Sequence, residues 1–390
     1  MMLCNRRVLD SPEFGAALAA AETVVERGPV ASATALRAAG VDPDLAAAAL
    51  TQATLRRAAA GKFGAMAARM FFTRTGLEQA TRWPAARARA ERLASAGART
   101  VADLGCGIGA DSLAFARAGL TVTAVESDPF TADVARANLR GLSATVETGD
   151  ALQLDLSTVE AAFCDPARRT AGGRRVFSPR GLSPPWEFAL DLLTGMPFAV
   201  LKLAPGLPHE LVPDGVEAEW VSVDGDLVEA TLWSPSMAGV ARRATVFRNG
   251  TAFALAGSGS EAAGVGPVRR YLFDPDGAVT RAGLVAEFAS TVDGRLADPS
   301  IAFVYADSPA ETPFARCLEV VDRLPVAVKK MRAALRDHDI GRLEIRKRGS
   351  ALDVEQLRHQ LRLRGANGAV LVLTRITGAP AALLCREPTG

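Results

Sequence analysis

The sequence predicts an α/β protein: a doubly wound parallel sheet, preceded by a helical N-terminal domain and followed by a small α+β module. Three observations predict this. Strand-like and helix-like segments alternate regularly between about residues 96 and 205, the pattern of parallel strands joined by crossover helices. Residues from about 11 to 95 are rich in Ala, Leu and Arg with no β alternation. Beyond residue 267 short strands and helices follow in mixed order. The chain has 390 residues, room for two to four domains at roughly 100–200 residues each. Its composition, 49% hydrophobic and 23% charged, excludes a chain disordered throughout.

The elements follow in order. Breaks at Arg27-Gly28-Pro29 and Gly40-Val41-Asp42-Pro43 divide the N-terminal part into short helices. Strands are predicted at Thr100–Leu104, Leu120–Val125, Ala144–Glu147, Glu160–Cys164 and Phe198–Leu203. Helices are predicted at Ala110–Ala118, Pro129–Leu139 and Trp186–Leu193. Residues 216–256 read as β-rich, with strands at Ala218–Val223, Leu227–Trp233 and Ala244–Phe247, expected as hairpins at the end of the same sheet. Ser258 to Gly266 is made of small residues and reads as a flexible linker. After it come a strand at Arg270–Phe273, a helix at Arg281–Phe288, a strand at Ile301–Tyr305 and a helix near Pro325–Asp337. The end reads β (Arg342–Lys347), α (Val354–Leu363), β (Ala369–Arg375), β (Ala381–Arg386). The expected domains are therefore 1–95, 96–256, 267–318 and 319–390.

Charge and cysteine usage narrow the function classes. The net charge is only +2, but it is unevenly spread. Residues 55–99 hold ten Lys/Arg against two Asp/Glu, and residues 321–390 hold fourteen against seven. The loop from Asp165 to Arg180 adds Arg168, Arg169, Arg174, Arg175 and Arg180. Three basic zones on a near-neutral chain suggest a polyanionic partner. The five cysteines stand apart, without CxxC or His spacing, so neither a metal site nor a disulfide framework is expected. No apolar run follows Arg6 and Arg7, and no long uncharged apolar stretch occurs. A signal peptide and a membrane span are not expected, and the cytoplasm is the expected compartment.

The chemistry concentrates in Val101-Ala102-Asp103-Leu104-Gly105-Cys106-Gly107-Ile108-Gly109. Glycines after a strand let the chain turn sharply and approach a ligand, and a helix N-terminus follows. Gly105-x-Gly107-x-x-Ala110 also satisfies a loose dinucleotide fingerprint, so a nicotinamide cofactor is one alternative. Three acidic residues favour S-adenosylmethionine (SAM). Asp103, two residues before Gly105, can hold the ammonium of the methionyl part. Glu126 ends the second strand and can take both ribose hydroxyls. Asp150 follows the third strand and can accept from the adenine amine. Asp165-Pro166 ends the fourth strand, where a sheet of this kind faces its ligand crevice. There Asp165 can orient a nucleophile or take its proton, with Pro166, Arg168 and Arg169 beside the substrate. Lys202 ends the fifth strand and reaches either the crevice or a substrate phosphate. Glu78 and Gln79 are candidates for a lid over the crevice.

These residues resemble the class I SAM-dependent methyltransferases, over about residues 70–235. The whole chain is similar to bacterial proteins that join such a Rossmann-like domain to a small ferredoxin-like piece and a C-terminal THUMP-like domain. Three strings carry that match: Phe72 to Thr81 (FTRTGLEQAT), Asp165 to Arg169 (DPARR), and Leu343 to Gly349 (LEIRKRG) with Val372 to Ile376 (VLTRI). The resemblance implies RNA as partner and methyl transfer to a base in structured RNA. Base-amine methyltransferases usually carry a second Pro and then an aromatic after the Asp/Asn-Pro; here Ala167 and Arg168 stand instead. Stacking on a base is then expected from the Arg168 plane, Trp186 or Trp83. RNA uracil-C5 enzymes need a Cys after strand five, where this chain has Lys202-Leu203-Ala204-Pro205. Two rival functions stand beside RNA methylation: a methyltransferase of a small molecule or protein, and a non-catalytic RNA-binding protein with this fold. Oligomeric state is not read from the sequence.

Overall fold

The computed structural model describes residues 6–168 and 181–388. The chain forms two compact units, residues 1–217 with 228–239, and residues 218–227 with 240–390.

After the short helix Arg6–Leu9, the first unit has three longer helices, Pro12–Val24, Pro29–Ala38 and Pro43–Phe63. Each starts on a proline, whose fixed φ suits a first helical turn. Ser11 and Asp42 cap two of them, accepting from Phe14 N–H and from the N–H groups of Asp44 and Leu45. Their apolar faces bury Phe14, Phe63, Met70 and Phe72 in one cluster with Ile108 and Leu113. The extended segment at 70–73 is clamped from both sides. Gln52 bonds the N–H and C=O of Phe72, and Asn138 bonds those of Phe71.

The sheet of this unit comprises β1 (Thr100–Leu104), β2 (Thr121–Glu126), β3 (Ala144–Thr148), β4 (Ala161–Cys164) and β5 (Phe198–Leu203). The chain then runs through β6 (Glu217–Val223) and β7 (Asp226–Trp233). Strand order is β7-β5-β4-β1-β2-β3. All pairs are parallel except β5 with β7. β4 is buried along its length, so it reads as a continuous apolar run rather than an alternating one. The order reverses between β1 and β4, which opens a crevice at their carboxyl ends.

In the second unit β8 (Arg242–Arg248) lies parallel to β6 and antiparallel to β9 (Thr251–Gly257). The expected pairings of β6 with β7 and of β8 with β9 are present in one sheet; what the sequence did not predict is that β8 returns parallel to β6. Next come β10 (Tyr271–Pro275), β11 (Arg295–Leu296), β12 (Val304–Ala306), β13 (Ala315–Leu324), β14 (Ile340–Lys347), β15 (Asn367–Ile376) and β16 (Ala379–Arg386). They form one sheet in the order β11-β12-β10-β13-β16-β15-β14. β13 is absent from the sequence-based reading, and it runs across the 318/319 position where a change of module was expected. Helices Val328–Asp337 and Val354–Leu361 cover one face of this sheet, over Leu371, Leu373 and Leu384.

Two further expectations are corrected. The helix at Arg281–Phe288 is two helices, Gly277–Ala282 and Val285–Thr291, because Gly283 takes a left-handed φ of 76° between them. Ser258–Gly266 is tied down rather than free: Gly259 N–H bonds Glu287, and Leu296 N–H bonds the Gly264 carbonyl. Among the described residues no helix is long and apolar enough to cross a membrane.

Candidate functional site

A cavity of about 590 Å³ opens at the carboxyl ends of β1, β2, β4 and β5, within the usual range for a small-molecule site. Its floor is the turn after β1. Gly105, Gly107 and Gly109 have φ of 86°, 56° and 77°, a region that side-chain-bearing residues rarely occupy. Helix Ala110–Arg117 starts directly behind the turn. Asn138 bonds the Ile108 carbonyl as well as Phe71, so one amide fixes the turn to the segment before the catalytic sheet.

Acidic side chains stand along the floor. Glu126 accepts from Gly107 N–H at 3.0 Å and Asp128 N–H at 2.9 Å, which fixes its carboxylate at the end of β2. Asp150 lines the rim and accepts from Leu152 N–H at 3.0 Å. Asp103 is 1% exposed and accepts from Ser112 Oγ. Burial, then the neighbouring Asp111 carboxylate, pushes Asp103 up to about 8. A cationic group placed against it would return it to its charged form. The donor set therefore fits SAM: a buried carboxyl for an ammonium, a fixed carboxylate for two hydroxyls, and a third carboxylate at the rim.

The roof comes from the segment after the first helices. Helix Arg74–Gln79 is capped by Thr73, and Gly76 presses on Ile108. A Cβ on Gly76 would lie 2.3 Å from Ile108 Cγ2, so only glycine permits this approach. Gln79, Ala80 and Thr81 reach the cavity. Lys62 donates to the carbonyls of Leu77 at 2.7 Å and Glu78 at 2.9 Å. Burial, then the charges of Lys202 and Arg82, push Lys62 down to about 8.

The far wall holds charges the sequence reading left unconnected. Asp165 after β4 forms an ion pair with Lys202 on β5. Burial opposes the Lys202 charge, but Asp165, Glu229 and Asp111 outweigh it and hold the ammonium above its ordinary pKa. Behind it Arg89, 3% exposed, pairs with both Asp111 and Glu229. Thr81 Oγ1 donates to Asp111 at 2.7 Å, and the Arg89 guanidinium lies 4.8 Å from the Phe163 ring centre. Burial opposes the Arg89 charge too, yet Glu229 and Asp111 hold its pKa raised.

Of the residues singled out from sequence, Asp103, Gly105, Gly107, Glu126, Asp150, Asp165, Pro166, Lys202 and Gln79 line this one cavity. Gly109, Glu78 and Trp186 are not in its lining. Gly109 sits at the helix start, Glu78 contributes its carbonyl to Lys62, and Trp186 is 8% exposed. Trp83 does not line it either. The Arg168 backbone forms a two-residue strand; Arg169, Arg174, Arg175 and Arg180 lie outside the described residues. Burial pushes the thiols of Cys106 and Cys164 well up, so neither is a thiolate nucleophile near neutral pH. Among the described residues no group of three or more His, Cys, Asp or Glu could hold a metal ion. Arg89, Asp111, Glu229 and Lys62 were not singled out from sequence. The one signal for Arg89 is its place on the apolar stripe Ala85, Ala86, Ala90, Leu93 of helix Trp83–Ser95.

Glu126→Ala should weaken SAM binding by roughly 1.5–3 kcal/mol, the scale of hydrogen bonds to a charged group. Calorimetry checks it, and tighter binding of NADH than of SAM by the wild type would refute the assignment.

Comparisons with known proteins identify methyltransferases as relatives of this chain. Residues 101–167 match the family model described as a methyltransferase domain, and residues 315–387 match that described as THUMP domain-like. Residues 5–59 match a domain of unknown function. Two Mycobacterium tuberculosis proteins, from strains CDC 1551 and H37Rv, are each 36% identical over 334 residues, covering 83% of this chain and 90% of the relative. Both are described as uncharacterized S-adenosylmethionine-dependent methyltransferases. A crystal structure of a candidate methyltransferase from Porphyromonas gingivalis W83 aligns over 100% of both chains, with TM-score 0.77 and 18% identity. At that identity the likeness is one of fold.

Proposed function

Since the chain belongs to the S-adenosylmethionine-dependent methyltransferases, we propose that it methylates structured RNA in the cytoplasm. The cofactor is SAM, which supplies an electrophilic methyl group on sulfur when bound. In this reading Asp103 faces its ammonium, Glu126 takes the ribose hydroxyls and Asp150 the adenine amine, over the turn Gly105–Gly109. Asp165 is the catalytic residue, with Pro166 and Gln79 on the substrate side. The helical segment 1–95 and the modules within 267–390 position the RNA. The sequence suggested a base as the methylated group.

One observation carries the RNA reading: an exposed basic helical layer in the THUMP-like region. Helices Val328–Asp337 and Val354–Leu361 bury Met331, Leu335, Leu357 and Leu361 against the sheet. Lys329, Lys330, Arg336, Arg358, Arg362 and Arg364 remain exposed. Phosphate contacts release counterions, so affinity should fall steeply with salt. If about four phosphates are neutralised, binding should weaken roughly a hundredfold between 50 and 200 mM salt. Replacing Lys329, Lys330 and Arg336 together by Glu should remove most RNA affinity and leave SAM binding unchanged. Filter binding of total RNA checks it; unchanged RNA affinity in that variant overturns the assignment of this surface.

A further inference from the structure

We propose that the methyl acceptor is a hydroxyl oxygen, the ribose 2′-hydroxyl of the RNA, held between Lys202 and Asp165, and not a base nitrogen. The inference rests on the RNA reading above and names its acceptor atom.

The reasoning starts from what the two side chains can do. Lys202 and Asp165 meet at the ends of β5 and β4, and both line the cavity. A lysine ammonium only donates hydrogen bonds, and an ionised carboxylate only accepts them. The acceptor that satisfies both has one lone pair for the lysine, one hydrogen for the aspartate and a second lone pair for attack. A hydroxyl oxygen has all three. A base amine has two N–H groups and a single lone pair. An ammonium donating to that lone pair would block the only electrons available for attack. An amine also becomes cationic as it is methylated, which an adjacent ammonium opposes. A hydroxyl oxygen sheds its proton and gains from the same cation.

Two more observations point the same way. The ammonium is secured: Asp165, Glu229 and Asp111 outweigh burial and keep it charged. Among the described residues, the one aromatic ring in the lining is Phe163, which is 1% exposed and already covered by Arg89 and Phe115. Among the described residues, therefore, no free ring offers itself to a flat base there, and neither Trp83 nor Trp186 lines the cavity. Within an RNA strand the free hydroxyl is the 2′-hydroxyl, both donor and acceptor. The oxygen attacks with its free lone pair. The O–C bond forms as the S–C bond breaks, the bonding pair stays on sulfur, and the hydroxyl proton passes to Asp165 and on to solvent.

The test uses the full chain, SAM labelled in its methyl group, and total RNA from a strain lacking the gene. The expected label survives alkali in dinucleotides and appears as 2′-O-methyl nucleosides; DNA of matching sequence takes none. Label on a base atom overturns this inference and keeps the RNA reading. No label in any RNA overturns the RNA reading and this inference with it. Lys202→Met should lower transfer by roughly 10²–10⁴-fold, with the calorimetric Kd for S-adenosylhomocysteine within about twofold of wild type. Lys202→Arg, which keeps a charged donor, should recover part of the rate. Unchanged transfer by a folded Lys202→Met protein overturns the inference; if that variant does not fold, the identity of the wild-type product decides.

Discussion

Asp165→Asn should lower methyl transfer by roughly 10²–10⁴-fold, the scale for losing a positioned proton acceptor. The amide keeps the volume and still offers one oxygen to Lys202, so the fold and the ground-state cofactor site should persist. What disappears is the group able to take a proton from the acceptor. Glu126, Asp103 and Asp150, which face the cofactor in our reading, are untouched. The expected pattern is therefore a fall in single-turnover rate with SAM and RNA affinities near wild type. Equal transfer by mutant and wild type would remove Asp165 from the mechanism. A parallel loss of SAM binding would move it from chemistry to cofactor binding.

Arg89→Met should destabilise the protein by about 3–5 kcal/mol, the range for breaking a buried pair by removing one partner. The guanidinium is 3% exposed and answers two carboxylates, Asp111 at 7% and Glu229 at 3%. Methionine fills part of the volume but leaves both acids without their guanidinium partner. Burial already raises the Glu229 pKa, against the pull of Arg89 and Lys202; without Arg89 it rises further. A carboxyl whose folded pKa exceeds its unfolded value binds more protons folded than unfolded, so its cost grows as pH rises above the unfolded value. The deficit of the variant should accordingly shrink when urea unfolding is measured at about pH 5.5 instead of 7.5. Adding Glu229→Gln should recover part of the loss. A variant as stable as wild type at both pH values would show that the network contributes no stability.

The contrast between these two residues explains what the sequence could reveal. Asp165 was legible because its position is defined by chain-local features: an apolar strand, then Asp-Pro. The same holds for Asp103, Gly105, Gly107 and Glu126, each set by a strand end. The Arg89 network joins residues 89, 111 and 229, and only the strand order brings them together. No spacing along the chain encodes that, although an arginine on an otherwise apolar helical stripe is a cue for a buried pair. β13 was illegible for a related reason. Its segment Ala315–Leu324 carries Arg316, Glu319, Asp322 and Arg323, which obscure a strand pattern. In the fold Glu319 is answered by Arg270 and Arg386, partners 49 and 67 residues away. Helix ends fared better where a cap or a glycine marks them, and worse at Gly283, whose left-handed turn splits one apparent helix into two.

β13 also bears on how such genes can be recombined. Its residues 315–319 pair with β10, and residues 319, 320 and 322–324 pair with β16. A crossover that joined residue 318 of one homologue to residue 319 of another would splice two halves of a single strand, each selected against a different neighbour. Phe273 and Leu272 face Cys317 and Leu318 from one parent, while Cys385 and Leu384 face Val320 and Asp322 from the other. The register shift between Val320 and Asp322 would have to match as well. Lineages are thus expected to inherit residues 271–386 as one indivisible block, and chimaeras with breakpoints outside that block are the ones that should survive selection.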